Sequence, residues 1–448
     1  MGLGISGRAA VRYLLGCGAR VSVSDARPAS GMKQEELDFL SAAGVRLECG
    51  GHTAAFLLPA DMIMVSPGIP FDLPVLQEAK KRGIPVVGEL AVAGPAISAP
   101  IIAITGTNGK TTVTSLVGEL LRQAGKMVFV GGNIGIPLFD YLCAPEPADM
   151  VVLEVSSFQL ETAGDFRPDI ALLLNITPDH LDRHGDLAGY VAAKRRIFVN
   201  QRAGDIAILA GDDPLCREMA AGFTGRKTHL FGHQADCRAR VGRDRVVVDL
   251  DGGNETYELA GTALAGTTGS LNAAAATLAA RCAGCSPAEI QKGLARFVPG
   301  PHRLARVCEI NGVAYYDDSK ATNTGAVLSA LSQFAGKVIL IAGGRDKGDD
   351  YGLLRAAVGD KVKRLVLIGE AAGKIAAAVQ GVVEIDYATS MEEAVRIVAG
   401  VAGPGDTVLL SPSCSSFDMF DSYGHRGKVF VAAVEGVKTL PAKKESAG

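Results

Sequence analysis

A chain of 448 residues has room for about three domains at ~150 residues each. Hydrophobic residues make up 48 % of it and charged residues 21 %, which excludes a natively disordered chain. Lys plus Arg number 45 against 48 Asp plus Glu, a net charge of −3, and that balance argues against a binder of nucleic acid or of an anionic membrane.

The first segment, 1–90, opens on Gly2-Leu3-Gly4-Ile5-Ser6-Gly7, followed by a helical pattern (Ala9, Ala10, Val11, Leu14, Leu15) and a short strand over 19–24 that ends at Asp25. This is the loop, helix and second strand of a Rossmann-like unit. Further apolar strands are expected over 62–65, running into Ser66-Pro67-Gly68, and over 84–88. A glycine loop of this kind follows a first β-strand, and here the chain starts on the loop itself. The expectation is that upstream codons encode a short Val/Ile-rich strand. Taken alone, the loop suggests a nicotinamide dinucleotide, with Asp25 on a ribose hydroxyl. Pro95 and Pro100 mark a linker.

The second segment, 91–299, begins with a strand over 100–105 and runs through Thr105-Gly106-Thr107-Asn108-Gly109-Lys110-Thr111-Thr112 into an amphipathic helix stopped near Gly125. Backbone N–H groups of such a loop surround phosphate oxygens, and the helix N-terminus adds its dipole. Lys110 would reach the outer phosphates and the Thr111 hydroxyl would sit on Mg²⁺. Ile104 stands where the strict pattern has Gly, so this is a shorter variant. Apolar strands over 150–155 and 170–175 continue a mostly parallel sheet, with a small antiparallel insert between about 238 and 259. Ala-rich helices near 272–283 and 287–297 close the segment. Glu154 stands in an apolar strand, where a carboxylate needs a partner such as a metal. His180 follows the strand end at which a doubly wound sheet places ligands.

The third segment, 300–448, alternates strands over 313–316, 338–342, 364–368 and 407–410 with helices over 325–334, 353–358, 371–379 and 391–401. This is a second Rossmann-like, mostly parallel α/β unit. The tail from Leu440 is rich in Lys, Glu and Ser and is expected to fray.

With these motifs on the page, the chain resembles the Mur ligase family over essentially its whole length. The carrying residues are the short P-loop, Glu154 in Glu154-Val155-Ser156-Ser157-Phe158-Gln159-Leu160-Glu161, the stretch 175–183, Pro301-His302-Arg303, and Asp317-Asp318-Ser319-Lys320-Ala321-Thr322-Asn323. The Ser-Ser-Phe-Gln-Leu run, the Asp-Ser-Lys-Ala-Thr-Asn run and Ser411-Pro412-Ser413-Cys414-Ser415-Ser416-Phe417-Asp418 favour the branch that adds D-glutamate. The resemblance implies three α/β domains, an ATP-dependent amide ligase and an acyl-phosphate intermediate. It places Lys110, Glu154, His180, Lys194 and Lys320 in catalysis. Gly106, Thr107, Asn108, Gly109, Lys110, Thr111, Thr112, Asn272, His302, Arg303 and Asp318 would bind ATP. Thr111, Glu154, His180 and Lys194, the last as a carbamate, would hold two Mg²⁺ ions. A carbamate forms on the neutral amine only, so Lys194 needs a neighbouring cation.

The UDP end of the substrate, UDP-N-acetylmuramoyl-L-alanine, would lie on Ile5, Ser6, Asp25, Arg27 and Ser66, with Asn133, Ser156 and Ser157 along the muramoyl part. D-Glutamate would meet Thr322, Lys347, Ser416 and Tyr423. Leu271 and Ala275 depart from the family's adenine pattern around Asn272, and Tyr423 stands where Phe is also seen. Other readings are a folylpolyglutamate-synthase-like ligase, which would lack such a first domain, a nicotinamide-dependent oxidoreductase, which would not need Lys110 and Glu154, and a non-catalytic nucleotide-binding regulator.

No apolar run approaches the ~18 residues of a membrane span, and no cationic segment precedes an apolar core at the start, so no signal peptide is expected. Nine scattered cysteines fit a reducing cytoplasm. Cys282 and Cys285 form a C-x-x-C without a second ligand pair, which reads as buried small residues. A cytoplasmic monomer without nucleic-acid or membrane partners is expected.

Overall fold

The computed structural model describes residues 1–144, 147–250 and 252–438. It is an α/β protein whose contacts divide it into two compact units. One comprises Met1–Ile176, Ala188–Ala265 and Ser270–Phe297; the other comprises Thr177–Leu187, Gly266–Gly269 and the chain from Val298 onward.

The first unit contains a nine-stranded sheet in the order Gly253–Glu258, Arg245–Leu250, Ala239–Gly242, Lys227–Gly232, Ile206–Ala210, Ile170–Leu173, Ile101–Thr105, Met150–Glu154, Val128–Gly132. Every pairing is parallel except the two among the three strands at the Gly253–Glu258 edge. These three strands, over 239–258, are the small antiparallel insert expected between about 238 and 259. Phe231 and Gly232 pair with Ala239 and Arg240 and fuse it to the main sheet. The central strands Ile101–Thr105, Met150–Glu154 and Ile170–Leu173 are buried along their whole length. That is why they read as continuous apolar runs rather than alternating ones.

The N-terminal part of this unit holds two parallel pairs, Ser22–Asp25 with Arg46–Cys49 and Ile63–Met64 with Val86–Val87. Arg46–Cys49 was missed in the sequence because only part of each residue is buried and no period-2 pattern stands out. Residues 1–3 lie between the two pairs. Gly2 N donates to Ser24 O (2.9 Å) and Ser66 N to Met1 O (3.0 Å), while the Met1 amine donates to Met64 O at 2.7 Å. Burial lowers that amine to about 6.

The second unit carries a six-stranded sheet, Ala305–Ile310, Val313–Asp317, Thr407–Leu410, Val338–Gly343, Val362–Ile368, Ile385–Tyr387, parallel except for the first pair. Along Val338–Gly343, Leu340 and Ala342 pack into one apolar layer, and Ile339 and Ile341 into the layer on the opposite face. Burying each such Leu or Ile contributes about 1.5–3 kcal/mol. Among the described residues no helix is long and apolar enough to cross a membrane.

Candidate active site

In the first unit the glycine loop closes tightly. A Cβ on Gly7 would stand 2.2 Å from Gly2 O, so only glycine permits this turn. Ile5, 67 % exposed, and Ser6 open the helix Ile5–Gly16 beside it. The Ser66 hydroxyl donates to Gly2 O at 3.1 Å. Asp25 accepts Leu3 N at 2.6 Å and Arg27 N at 2.9 Å, and the Arg27 guanidinium grips both its oxygens at 3.0 and 3.1 Å. Burial works to raise the Asp25 carboxyl, but the Arg27 and Leu3 bonds outweigh it and hold it at about 2. Ile5, Ser6, Asp25, Arg27 and Ser66 thus converge on one loop.

The phosphate-type loop follows the buried strand Ile101–Thr105. Gly109 adopts a left-handed φ of 84° and caps the helix Lys110–Gln123, whose first turn holds Thr111 and Thr112. A Cβ on Gly109 would come within 2.6 Å of Asn272 Oδ1, so Asn272, from the helix Thr267–Cys282, sits against the loop. Asn175 clamps the other side. Its Oδ1 accepts Asn108 N (2.8 Å), its Nδ2 donates to Asn108 O (3.1 Å), and its carbonyl accepts Thr107 N (3.0 Å). Lys110 Nζ donates to Gly106 O and Thr107 O at 2.9 and 2.8 Å. Lys194, 1 % exposed, donates to the same Gly106 carbonyl at 2.8 Å and lies 4.4 Å from the Tyr190 ring centroid. Nothing in the local run 190–196 marks Lys194 as anything but an ordinary helix lysine, yet it is buried under the loop.

Glu154 ends its strand 2 % exposed. The Thr111 hydroxyl donates to one of its oxygens (2.6 Å) and Asn133 Nδ2 to the other (2.7 Å). Two neighbouring elements therefore meet on one carboxylate. Ser156 uses its hydroxyl to cap the short helix Ser157–Glu161 through Gln159 N, and Ser157 is buried.

In the second unit His302 Nδ1 lies 2.6 Å from Asp317 Oδ2. Arg303 follows, and its charge acts on Asp318. Asp318 accepts Leu304 N (3.1 Å) and the Ser411 hydroxyl (3.0 Å). Burial outweighs these bonds and pushes it up to about 7. His302, Leu304 and Ser413 hold left-handed φ angles of 62°, 49° and 63°, and non-glycine residues in that region concentrate at functional sites. Lys320 N donates to His302 O, and Lys320 Nζ lies 3.8 Å from the Tyr423 ring centroid.

Arg426, which sequence reasoning missed, is fully buried at the centre of these loops. It donates to Ser319 Oγ (2.9 Å), Ser319 O (2.8 Å), Cys414 O (3.0 Å) and Ser415 O (3.3 Å). It ties the turn that bears Lys320 to the loop that bears Ser416, itself 2 % exposed. Burial pushes Arg426 down to about 10.

His180 also lies in this unit, with a left-handed φ of 55°, at the start of Leu181–His184. Beside it, Asp179 accepts Lys347 Nζ (2.8 Å) and Asn323 Nδ2 (3.1 Å). Thr322 precedes Asn323 at the entry to the helix Thr324–Ser332. Of the predicted residues, Lys110, Thr111, Asn133, Glu154, Lys194 and Asn272 gather in the first unit. His302, Asp318, Lys320 and Tyr423 gather in the second, as do His180 and Lys347 through Asp179.

Comparison with known proteins covers nearly the whole chain. The Mur ligase MurD-like N-terminal domain matches residues 1–88, the Mur ligase middle domain 104–280 and the Mur ligase glutamate ligase domain 302–414. A UDP-N-acetylmuramoylalanine–D-glutamate ligase of Desulfotalea psychrophila is 53 % identical over 443 residues, covering 99 % of this chain and 96 % of the relative. One of Koribacter versatilis is 43 % identical, covering 96 % and 95 %. A pseudomurein peptide ligase type C from Methanothermus fervidus shares the fold at a TM-score of 0.63 and 20 % identity, over 97 % of this chain and 98 % of that one. UDP-N-acetylmuramate-alanine ligase MurC of Thermotoga maritima does so at 0.60 and 18 %, over 97 % and 98 %. With relatives this similar along its full length, the chain belongs to the Mur ligase family.

Proposed function

We propose that this protein is an ATP-dependent, ADP-forming ligase that joins D-glutamate to UDP-N-acetylmuramoyl-L-alanine in peptidoglycan precursor synthesis. The observation that carries the reading is the 53 % identity to a ligase of that name across 99 % of the chain. The glycine loop with Asp25, Arg27 and Ser66 would take the UDP end. Gly106–Thr112 and Asn272 would take ATP, joined by His302, Arg303 and Asp318, while Thr322, Lys347, Ser416 and Tyr423 would take D-glutamate. Asn133, Ser156 and Ser157 would lie along the muramoyl part. The oxidoreductase reading loses its basis, because the first glycine loop is followed by a complete phosphate-type loop with its own acid, Glu154.

Mg²⁺ fits the residues present. Thr111 Oγ1 and Glu154 Oε2 are hard oxygen donors 2.6 Å apart beside the phosphate-type loop, and Mg²⁺ is held by one or two protein oxygens plus phosphate and water. Thr111 would sit on the ATP-bound ion, Glu154 and His180 would serve as Mg²⁺ ligands, and a carbamate on Lys194 would support a second ion. When bound, Mg²⁺ lowers the repulsion between a carboxylate and the γ-phosphate.

Lys110 would neutralise charge on the transferred phosphoryl group. The substrate carboxylate oxygen attacks the γ-phosphorus, the bond to ADP breaks and an acyl phosphate forms. The neutral amine of D-glutamate then attacks the acyl carbon, loses a proton and expels phosphate. Lys320, held through its backbone N–H to His302 O, would meet the γ-phosphate side. We place the reaction in the cytoplasm and the enzyme as a monomer. The test uses substrate with ¹⁸O in the alanyl carboxylate. The expected result is one ¹⁸O atom in each released phosphate; unlabelled phosphate would contradict the acyl-phosphate route.

A further inference from the structure

Lys347 and Asp179 form an ion pair of an unusual kind for a ligand site. Lys347 Nζ stands 2.8 Å from Asp179 Oδ1. Asp179 is 6 % exposed, while the Lys347 side chain keeps 15 % exposure. The pair is enclosed on the aspartate side and reachable on the lysine side. Asn323 fixes the carboxylate. Its Oδ1 accepts Ala326 N at 2.8 Å as the cap of Thr324–Ser332, which turns its Nδ2 onto Asp179 Oδ2 at 3.1 Å. His180 Nε2 lies 3.8 Å from that same oxygen. Asp179 therefore keeps a partner if Lys347 swings to another anion.

The charge balance decides what that other anion can be. Lys347 is flanked by two acids, since Asp349 feels both Lys347 and Asp179. A plain carboxylate arriving at Lys347 adds a third negative group around one cation. An amino acid brings its own ammonium, so it can enter between the two partners and leave both ends matched.

From this geometry we infer that Asp179 is the receptor for the amino acid's ammonium group, with Lys347 taking one of its carboxylates as the ion pair opens. This deepens the reading of Lys347 as a D-glutamate contact and rests on it. It makes Asp179 a specificity determinant: it admits a zwitterion and rejects a dicarboxylate of the same length. It also holds, next to His180, the nitrogen that becomes the nucleophile once the ammonium has given up a proton.

The test compares D-glutamate with glutarate, which has the same two carboxylates and no ammonium. The full chain, Asp179→Asn and Asp179→Glu are assayed for the KM of D-glutamate, the KM of ATP and inhibition by glutarate. Asp179→Asn is expected to raise the KM of D-glutamate about 10- to 100-fold. The KM of ATP should move less than about twofold, within the effect of a distant surface change. Glutarate inhibition should hold or strengthen, so the preference for D-glutamate over glutarate collapses. Asp179→Glu should recover part of that preference. Calorimetric titration of both ligands reads the same ratio if Asp179→Asn turns over too slowly. Parallel weakening of D-glutamate and glutarate would mean a structural role and would overturn the inference. So would an unchanged or lowered KM for D-glutamate. Wild-type protein that turns over with another amino acid but not with D-glutamate would instead overturn the underlying reading, and this inference with it.

Discussion

Asp25 ends the strand Ser22–Asp25 and Asp318 directly follows the strand Val313–Asp317, one in each unit, yet their charges are managed in opposite ways. Asp25 is met by the Arg27 guanidinium and two backbone N–H groups and is held at about 2. Asp318 is met by one N–H and one hydroxyl, and burial outweighs these and the Arg303 charge and pushes it up to about 7. The same contrast runs through the cations. Arg27 has a carboxylate on its fork, whereas Arg426 is buried on a hydroxyl and three carbonyls and is pushed down to about 10. At these positions the first unit matches its charges in advance, whereas the second leaves Asp318 and Arg426 under desolvation, where an incoming charged group has the most to gain.

The strongest break of this contrast is on the first unit's loop. Lys110→Met should lower kcat about a thousandfold or more, since a preorganised cation on the transferred group is removed. A loss below about tenfold would remove Lys110 from the chemistry. Lys194→Ala should come next, at about a hundredfold, with partial recovery on adding formate or acetate in place of the proposed carbamate. Full activity without additives would refute that role.

Arg426→Met probes the second unit's side. It leaves three carbonyl oxygens and the Ser319 hydroxyl without their donor, and should cost about 3–5 kcal/mol in denaturant unfolding. A cost below about 1 kcal/mol would show that the loops bearing Lys320 and Ser416 hold without it.

The two aspartates themselves give the smaller, sharper effects. The folded Asp318 binds its proton more tightly than the unfolded chain, so stability falls as pH rises from about 4 to about 7. Asp318→Asn should therefore gain on the order of 2 kcal/mol over wild type at pH 8 and almost nothing at pH 4. Asp25 runs the other way. Its contribution is present above about pH 4 and lost as pH falls through 2, so Asp25→Asn should cost on the order of 1–2 kcal/mol at pH 7 and little near pH 2. Thermal melting across pH reads both, and equal pH profiles for the two variants would erase the contrast.

The phosphate-type loop was legible because strand, glycines and helix are consecutive and each fixes the next. Glu154 was legible because a carboxylate at the end of an apolar strand demands a partner. Asn175 as a clamp was not, since its target Asn108 lies 67 positions away. Arg426 lies on a helix, Tyr423–Lys438, where an arginine between His425 and Lys428 looks like any surface arginine. Arg46–Cys49 escaped because a half-exposed strand carries no clear period. Lys347 was expected from likeness alone, but its pairing with Asp179 depends on how 177–187 packs with the chain after Val298, and no local pattern encodes that.

The most direct measurement is a one-pot competition. Protein, ATP, Mg²⁺ and UDP-N-acetylmuramoyl-L-alanine are mixed with equal amounts of D-glutamate, L-glutamate, L-lysine and diaminopimelate, and products are read by mass. The account predicts a single product carrying one glutamyl residue, formed from the D-enantiomer when each is supplied alone, with one ADP released per product. A product carrying lysine or diaminopimelate, or none with any of the four, would contradict it.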